Sequence, residues 1–291
     1  MFKLNSIKNI INKDKLKMIL VPGLPGLIML AFVIIAIFAP LLMPHNPLRG
    51  NIANQFIPPS WMPGGSSKYV LGTDYYGRDI LSRLIYGTQT SLIVVAASIM
   101  ISAFVGMTVG LISGYVGGIV DDIVMRIVDA FISIPYLVVA IVLAAAFGSG
   151  ILNVILIISL FQWSIYARQI RAETLAIKEQ DYVAVARISG ASTKRIIIRH
   201  FIPNIVPTIL VLLTLHIGEL ILWEATLSFL GVGIPQPIPS WGSMISDGEM
   251  YITTRWWLSF LPGLVIVIAV VSANILGDWL RDSLDPRLRQ M

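Results

Sequence analysis

At 291 residues, 56% hydrophobic and only 13% charged, the chain departs from ordinary soluble domains, which carry about a quarter charged residues. Its long uncharged runs place it among membrane proteins, so the net charge of +5 reads as basic loops at one membrane face rather than nucleic-acid binding. Cysteine is absent, which excludes disulfides, thiolate metal sites and cysteine-linked lipid anchors.

Residues 1–17 are a tail with Lys3, Lys8, Lys13, Lys15 and Lys17. Met18–Met43 follows without a charge, long enough for a first span of about 20 residues. It exceeds a signal-peptide core and precedes no convincing A-x-A site, so an uncleaved anchor is expected. Residues 44–86 form an outer loop rich in Pro and Gly. Within it GTDYYGRD lacks the Lys and Ser/Thr of a phosphate loop. The segment reads as a short amphipathic helix on the outer surface, with Ile80, Leu81, Leu84 and Ile85 toward lipid and Asp79 paired with Arg83 at i,i+4.

Gly87–Val120, also uncharged, is the second span. Ser98, Ser102, Gly106, Gly110, Gly114 and Gly118 recur at every fourth position, a stripe that lets another helix approach backbone to backbone. That helix could belong to this chain or to a sister subunit. Asp129, near the inner face, is expected to pair with Arg126. Ala130–Ala167 as a single helix would be about 57 Å long, so it is split at Gly148-Ser149-Gly150 into spans three and four, span three beginning a little earlier. Ile205–Leu230 is the fifth span and Trp256–Gly277 the sixth, with Trp241, Trp256 and Trp257 read as interfacial anchors. Residues 87–280 thus form a five-helix domain, followed by a tail at 281–291.

Six spans put both termini on one side. With the termini inside, the inner segments hold sixteen basic residues and the outer ones five, which favours an N-in, C-in topology. The fifth span carries His216, Glu219 and Glu224. A buried charge such as Asp, Lys or Arg costs about 2.5–3.5 kcal/mol at a span centre on insertion scales, so these groups should face a pathway or a partner helix. His216 and Glu219 share a face, but two ligands are too few for a metal site. No catalytic motif stands out, and no metal or cofactor site is expected in this chain.

The most informative stretch is the inner loop 168–204, above all DYVAVARISGASTKRIIIRHFIPN from Asp181 to Asn204. Asp181–Ser189 suits a helix, Gly190 a left-handed terminator and Ser192 the N-cap of a second helix running on through Arg199. Pro203 then stands before the fifth span. From physics alone such a segment either rests on anionic headgroups or fits a groove in a partner.

Its spelling resembles the transmembrane subunits of ABC importers, and more narrowly the C-type permease of the dipeptide/oligopeptide/nickel family. The matching residues are Tyr182, Val183, Ala186, Arg187, Gly190, Ala191, Ser192, Arg195, Ile196, Ile197, Arg199, His200, Pro203 and Asn204. Val70–Leu92, Ile221–Ile245 and Gly277–Arg289 also match that family's spelling. Two departures are plain: Ala184 and Val185 replace the family's Glu-Ala pair, with Asp181 the nearest carboxylate, and Gln89 stands where arginine is common.

The resemblance implies an all-α, type I importer-like permease in a bacterial inner membrane. It implies that Asp181–Arg199 is a coupling helix docking on a cytoplasmic ATPase. It further implies a second homologous permease, one or two P-loop ATPases that bind ATP and Mg2+, and an extracytoplasmic substrate-binding protein. Short peptides are the expected substrate class; nickel or metal chelates and glutathione-like compounds fall within the same resemblance. The rival reading is a secondary transporter or channel working alone, which predicts internal repeats and broken charged helices at midplane; no repeat is seen.

Overall fold

The computed structural model describes residues 23–284. The basic tail, the start of the first span and most of the C-terminal tail lie outside the described residues. All named elements are helical: α1 (Gly23–Ile37), α2 (Ala39–Leu42), α3 (Ile80–Val116), α4 (Gly118–Ser133), α5 (Tyr136–Phe147), α6 (Ile151–Lys178), α7 (Asp181–Ile188), α8 (Thr193–Ile196), α9 (Ile202–Phe229), α10 (Trp241–Glu249) and α11 (Trp257–Leu284). Among the described residues four continuous helices are long and apolar enough to cross a membrane, and the bent pair α4–α5 makes up to five. Within the described residues α1 stops at Ile37, because Pro40 cannot continue its hydrogen bonding and starts a separate turn at α2.

The second span begins earlier than the sequence suggested. Residues 80–86 are no separate surface helix but the first turns of α3, with Ile80 and Leu84 buried in the core. Asp79 caps this helix, accepting from the Ser82 backbone N–H at 2.9 Å and the Ser82 hydroxyl at 2.5 Å. Its carboxylate therefore serves the helix end rather than Arg83. The Arg83 guanidinium instead reaches Asp74 at 3.5 Å and Asp247 at 3.3 Å. An Asp79→Ala variant should lose about 1–2 kcal/mol of stability, read as a lower unfolding midpoint in detergent.

Asp74 organises the outer loop. One carboxylate oxygen accepts from the backbone N–H groups of Tyr76 and Arg78, both at 2.9 Å, and the other takes the Arg78 Nε at 2.6 Å. Arg78 continues to Gln236 at 3.1 Å, and Gln236 donates to Asp247 at 2.6 Å and to the Tyr75 hydroxyl at 3.0 Å. Burial pushes the Asp247 carboxyl up from its ordinary value, against the opposing pull of Arg83 and Arg78. This clasp fixes the outer loop onto α10. Arg78 and Arg83 are both paired with carboxylates within the chain.

The stripe on α3 packs within the chain. A Cβ on Gly106 would stand 2.6 Å from the Trp163 carbonyl, one on Gly110 3.0 Å from the Arg171 nitrogen and against the Ala167 carbonyl, and one on Gly114 2.8 Å from the Thr174 Cβ. Those obstacles all belong to α6, so α3 and α6 touch backbone to backbone. Gly118 departs from the stripe: it begins α4 with φ +58 and has nothing within 4 Å.

The break expected at Gly148-Ser149-Gly150 separates α5 from α6. A second break, at Ile134–Pro135, bends α4 against α5 by 87°. Proline disfavours the helical region for its predecessor, and Ile134 is extended at φ −81, ψ 128. At the inner end, Asp121 receives Ser113 at 2.5 Å and Arg171 at 2.5 and 3.0 Å, tying α4 to both α3 and α6. Asp129 pairs with Arg168 rather than with Arg126. The Trp residues also differ from expectation: Trp241 and Trp257 are buried core residues and only Trp256 is partly exposed.

Candidate functional site

The segment 181–204 folds as two helices about a tight turn. Helix α7 ends at Gly190, whose φ of +76 is the left-handed conformation that glycine adopts without steric cost. The Gly190 N–H donates to the Arg187 carbonyl at 3.0 Å and the Ala191 N–H to the Ala186 carbonyl at 3.1 Å. These two bonds close a Schellman turn and satisfy carbonyls that the helix end would leave free. Ser192 holds the N-cap backbone position of α8, but its side chain makes no capping bond, contrary to expectation.

Helix α8, a wide turn at Ile197–Phe201 and α9 form one apolar rod, Thr193–Phe229. The wide turn lies just before Pro203, whose ring would otherwise press on the Arg199 carbonyl in a regular helix. The turn between α7 and α8 is thus joined rigidly to a candidate membrane span.

Val183 is fully buried in a small core with Leu111, Ile170, Ile177, Ile196, Phe201 and Ile205, which draws α3, α6, α7 and α9 together. The Arg187 guanidinium sits 5.8 Å from the Tyr115 ring, a further tie to α3. Away from Val183, Val185 is 62% exposed and Ile188 87%, while Tyr182, 41% exposed, meets the His200 ring at 5.7 Å. Asp181, Ala184, Arg195 and Arg199 are also exposed. Ser192, Lys194, Arg195, Ile198, Arg199 and Pro203 border an open groove of about 550 Å³. The arrangement is a short helix held by one buried valine, with an apolar outer face and a basic flank. Such a face suits insertion into a groove.

The titratable residues of the fifth span divide. Glu224 is wholly buried and accepts from Ser91 on α3 and from Ser228, each at 2.8 Å. It therefore pairs helices inside the chain. Glu219 is different: its side chain is 42% exposed, and its nearest cationic candidate is His216, 3.9 Å away. Among the described residues no three His, Asp or Glu side chains lie close enough to hold a metal ion.

Sequence reasoning missed the Asp121–Ser113–Arg171 tie, the Asp74–Arg78–Arg83–Asp247 clasp and the stacked pair Tyr136–Trp223, whose ring centroids are 3.8 Å apart. Two basic residues close before an apolar run, on the side the expected topology makes the outer one, were the available signal for the clasp. The other two join segments far apart in sequence and left no local mark.

Comparison with known proteins agrees with this architecture. Residues 106–290 match the family described as binding-protein-dependent transport system inner membrane component. The dipeptide transport system permease protein DppC of Escherichia coli K12 is 41% identical over 266 residues, covering 91% of this chain and 89% of that protein. The di/tripeptide transport system permease protein DppC of Pseudomonas aeruginosa UCBPP-PA14 is 38% identical over 263 residues, 90% of this chain and 87% of that protein. A putative peptide transport system permease protein of Brucella suis is 38% identical over 265 residues, covering 91% and 87%. With a family match over residues 106–290 and relatives similar over about nine tenths of the chain, it belongs to the family of inner membrane components of binding-protein-dependent transport systems.

Proposed function

We propose that this chain is a permease subunit of an ATP-driven importer of short peptides and that α7 is the helix through which cytoplasmic ATPases act on it. The observation that carries this reading is the exposed apolar face of α7, anchored behind by Val183 and joined through Gly190 to the rod that becomes α9. The names of the relatives support peptides as the substrate class.

On this reading the chain has six spans with both termini inside, α1 belonging to the first. It sits in a bacterial inner membrane beside a second, homologous permease, and an extracytoplasmic binding protein delivers the substrate. One or two P-loop ATPases hold ATP and Mg2+; this chain contributes no catalytic residue. ATP binding that favours a closed ATPase dimer shifts α7, and the α8–α9 rod carries that shift into the membrane as a change between two states. Ala184, in place of the family's glutamate, leaves docking to apolar and backbone contacts.

Because the chain has no cysteine, Ile188→Cys introduces a unique thiol on the outer face of α7. In the assembled complex this thiol should cross-link to the ATPase and be shielded from a soluble maleimide. A thiol that is freely labelled in an intact complex, with no cross-link to the ATPase, would place α7 on the lipid surface instead and remove the coupling role.

A further inference from the structure

Glu219 is a half-exposed carboxylate in a candidate membrane span, and His216 is its one ion-pair partner among the described residues. Among the described residues it accepts no hydrogen bond, and the His216 Nε2 is 3.9 Å away, beyond hydrogen-bonding distance. Glu224, one turn along, is by contrast fully buried and doubly bonded by serines. An acidic group left half exposed in a span is costly against lipid and is ordinarily found facing a polar cavity.

Its surroundings are polar and aromatic. His216, Glu219 and Trp223 fall on one stripe of α9 at i, i+3 and i+7. Trp223 is stacked on Tyr136 with an interplanar angle of 9°, and both are half-buried. Tyr136 is the first residue of α5, so the 87° bend at Pro135 is what delivers its ring to α9. On the other side, the Tyr166 ring meets His216 edge-on at 5.3 Å. Tyr166 is 1% exposed and Gln162 is fully buried, and neither the Tyr166 hydroxyl nor the Gln162 amide group has a hydrogen-bond partner among the described residues. Buried polar groups seldom remain unpartnered. The cluster therefore has hydrogen-bonding capacity, a carboxylate without a hydrogen bond and aromatic side chains, which together match an organic ammonium group.

We infer that Glu219, with Tyr136, Trp223 and Tyr166 around it, is a transient binding site within the membrane for the free amino group of the transported molecule. This rests on the peptide-importer reading. The site takes a charge-assisted hydrogen bond from the ammonium to Glu219, while the rings exclude water and lipid. It favours a cationic amine over a neutral or anionic end.

The test uses the full complex with its binding protein in proteoliposomes, with dialanine uptake and ATP hydrolysis measured together. Removing one charge-assisted bond should lower dialanine uptake by Glu219→Gln about tenfold or more, with Glu219→Asp restoring a large part of it. Millimolar ethylammonium chloride, compared with equal sodium chloride, should inhibit the unaltered complex and have a much smaller effect on Glu219→Gln. Uptake by Glu219→Gln at the unaltered rate would overturn the site. Loss of the second permease from the purified Glu219→Gln complex would also overturn it, making Glu219 an interface residue. A complex without substitutions that drives ATP-dependent uptake of another solute but not of dialanine would remove the peptide reading and the site with it.

Discussion

A Gly190→Val variant is expected to lose most ATP-driven uptake while the membrane helices still fold. The native φ of +76 lies in the left-handed region, where a β-branched residue is strained by about 1–3 kcal/mol. Space is not the obstacle, since a Cβ at this position has nothing within 4 Å. The cost is borne by the backbone, and the simplest relief is to open the two turn bonds from Gly190 and Ala191. That frees α7 from its fixed angle to the α8–α9 rod. Val183 still holds α7 to the inner core, so the effect falls on transmission rather than on folding. Gly190→Asn is the control, because asparagine tolerates this conformation. Uptake retained by Asn and lost by Val, with ATP hydrolysis continuing, is the expected pattern. Equal uptake by all three proteins would show that the turn transmits nothing.

The second large effect is on stability. Gly110→Leu should prevent accumulation of folded protein. Overpacking a tight interior commonly costs about 1–3 kcal/mol, and here even a Cβ meets the Ala167 carbonyl and stands 3.0 Å from the Arg171 nitrogen. Backbone cannot swing aside as a side chain can, so α3 and α6 must separate. Separation also strains the neighbouring contacts of Gly106 and Gly114 and the Asp121 ties to Ser113 and Arg171. Gly150→Ala, with open space around it, should fold as the unaltered chain does. Fluorescence-detected size exclusion of tagged variants reads both outcomes; a monodisperse Gly110→Leu peak of normal height would contradict the close packing.

Several of these features were legible because a single residue type carries them. Gly190 marks a left-handed helix end, Gly148-Ser149-Gly150 a break in a run too long for one span, and the four-residue spacing of Gly106, Gly110 and Gly114 a close helix contact. That spacing could not identify the partner helix, since a small residue records the approach and not what approaches. The bend at Pro135 was hidden because its neighbours are uniformly apolar, so hydropathy saw one continuous run. Asp79 and Arg83 have the spacing of a helical ion pair, but the pairing failed once Asp79 was taken by the helix start. Trp241 and Trp257 look like membrane-interface residues until α10 folds back against α3, α9 and α11. Glu219 and Glu224 read alike in the sequence; only the serines on α3 and α9 separate a helix-pairing carboxylate from a half-exposed one.

The most direct test of the central reading is to purify the chain from its own cells in gentle detergent, identify its companions by mass spectrometry, and assay the assembly for ATP-driven uptake in proteoliposomes. The account predicts a second permease and one or two P-loop ATPases, with uptake of a short peptide that requires ATP and a binding protein. Reproducible recovery of the folded chain alone, catalysing uptake without ATP, would contradict it and make the Asp181–Asn204 segment a basic loop on lipid.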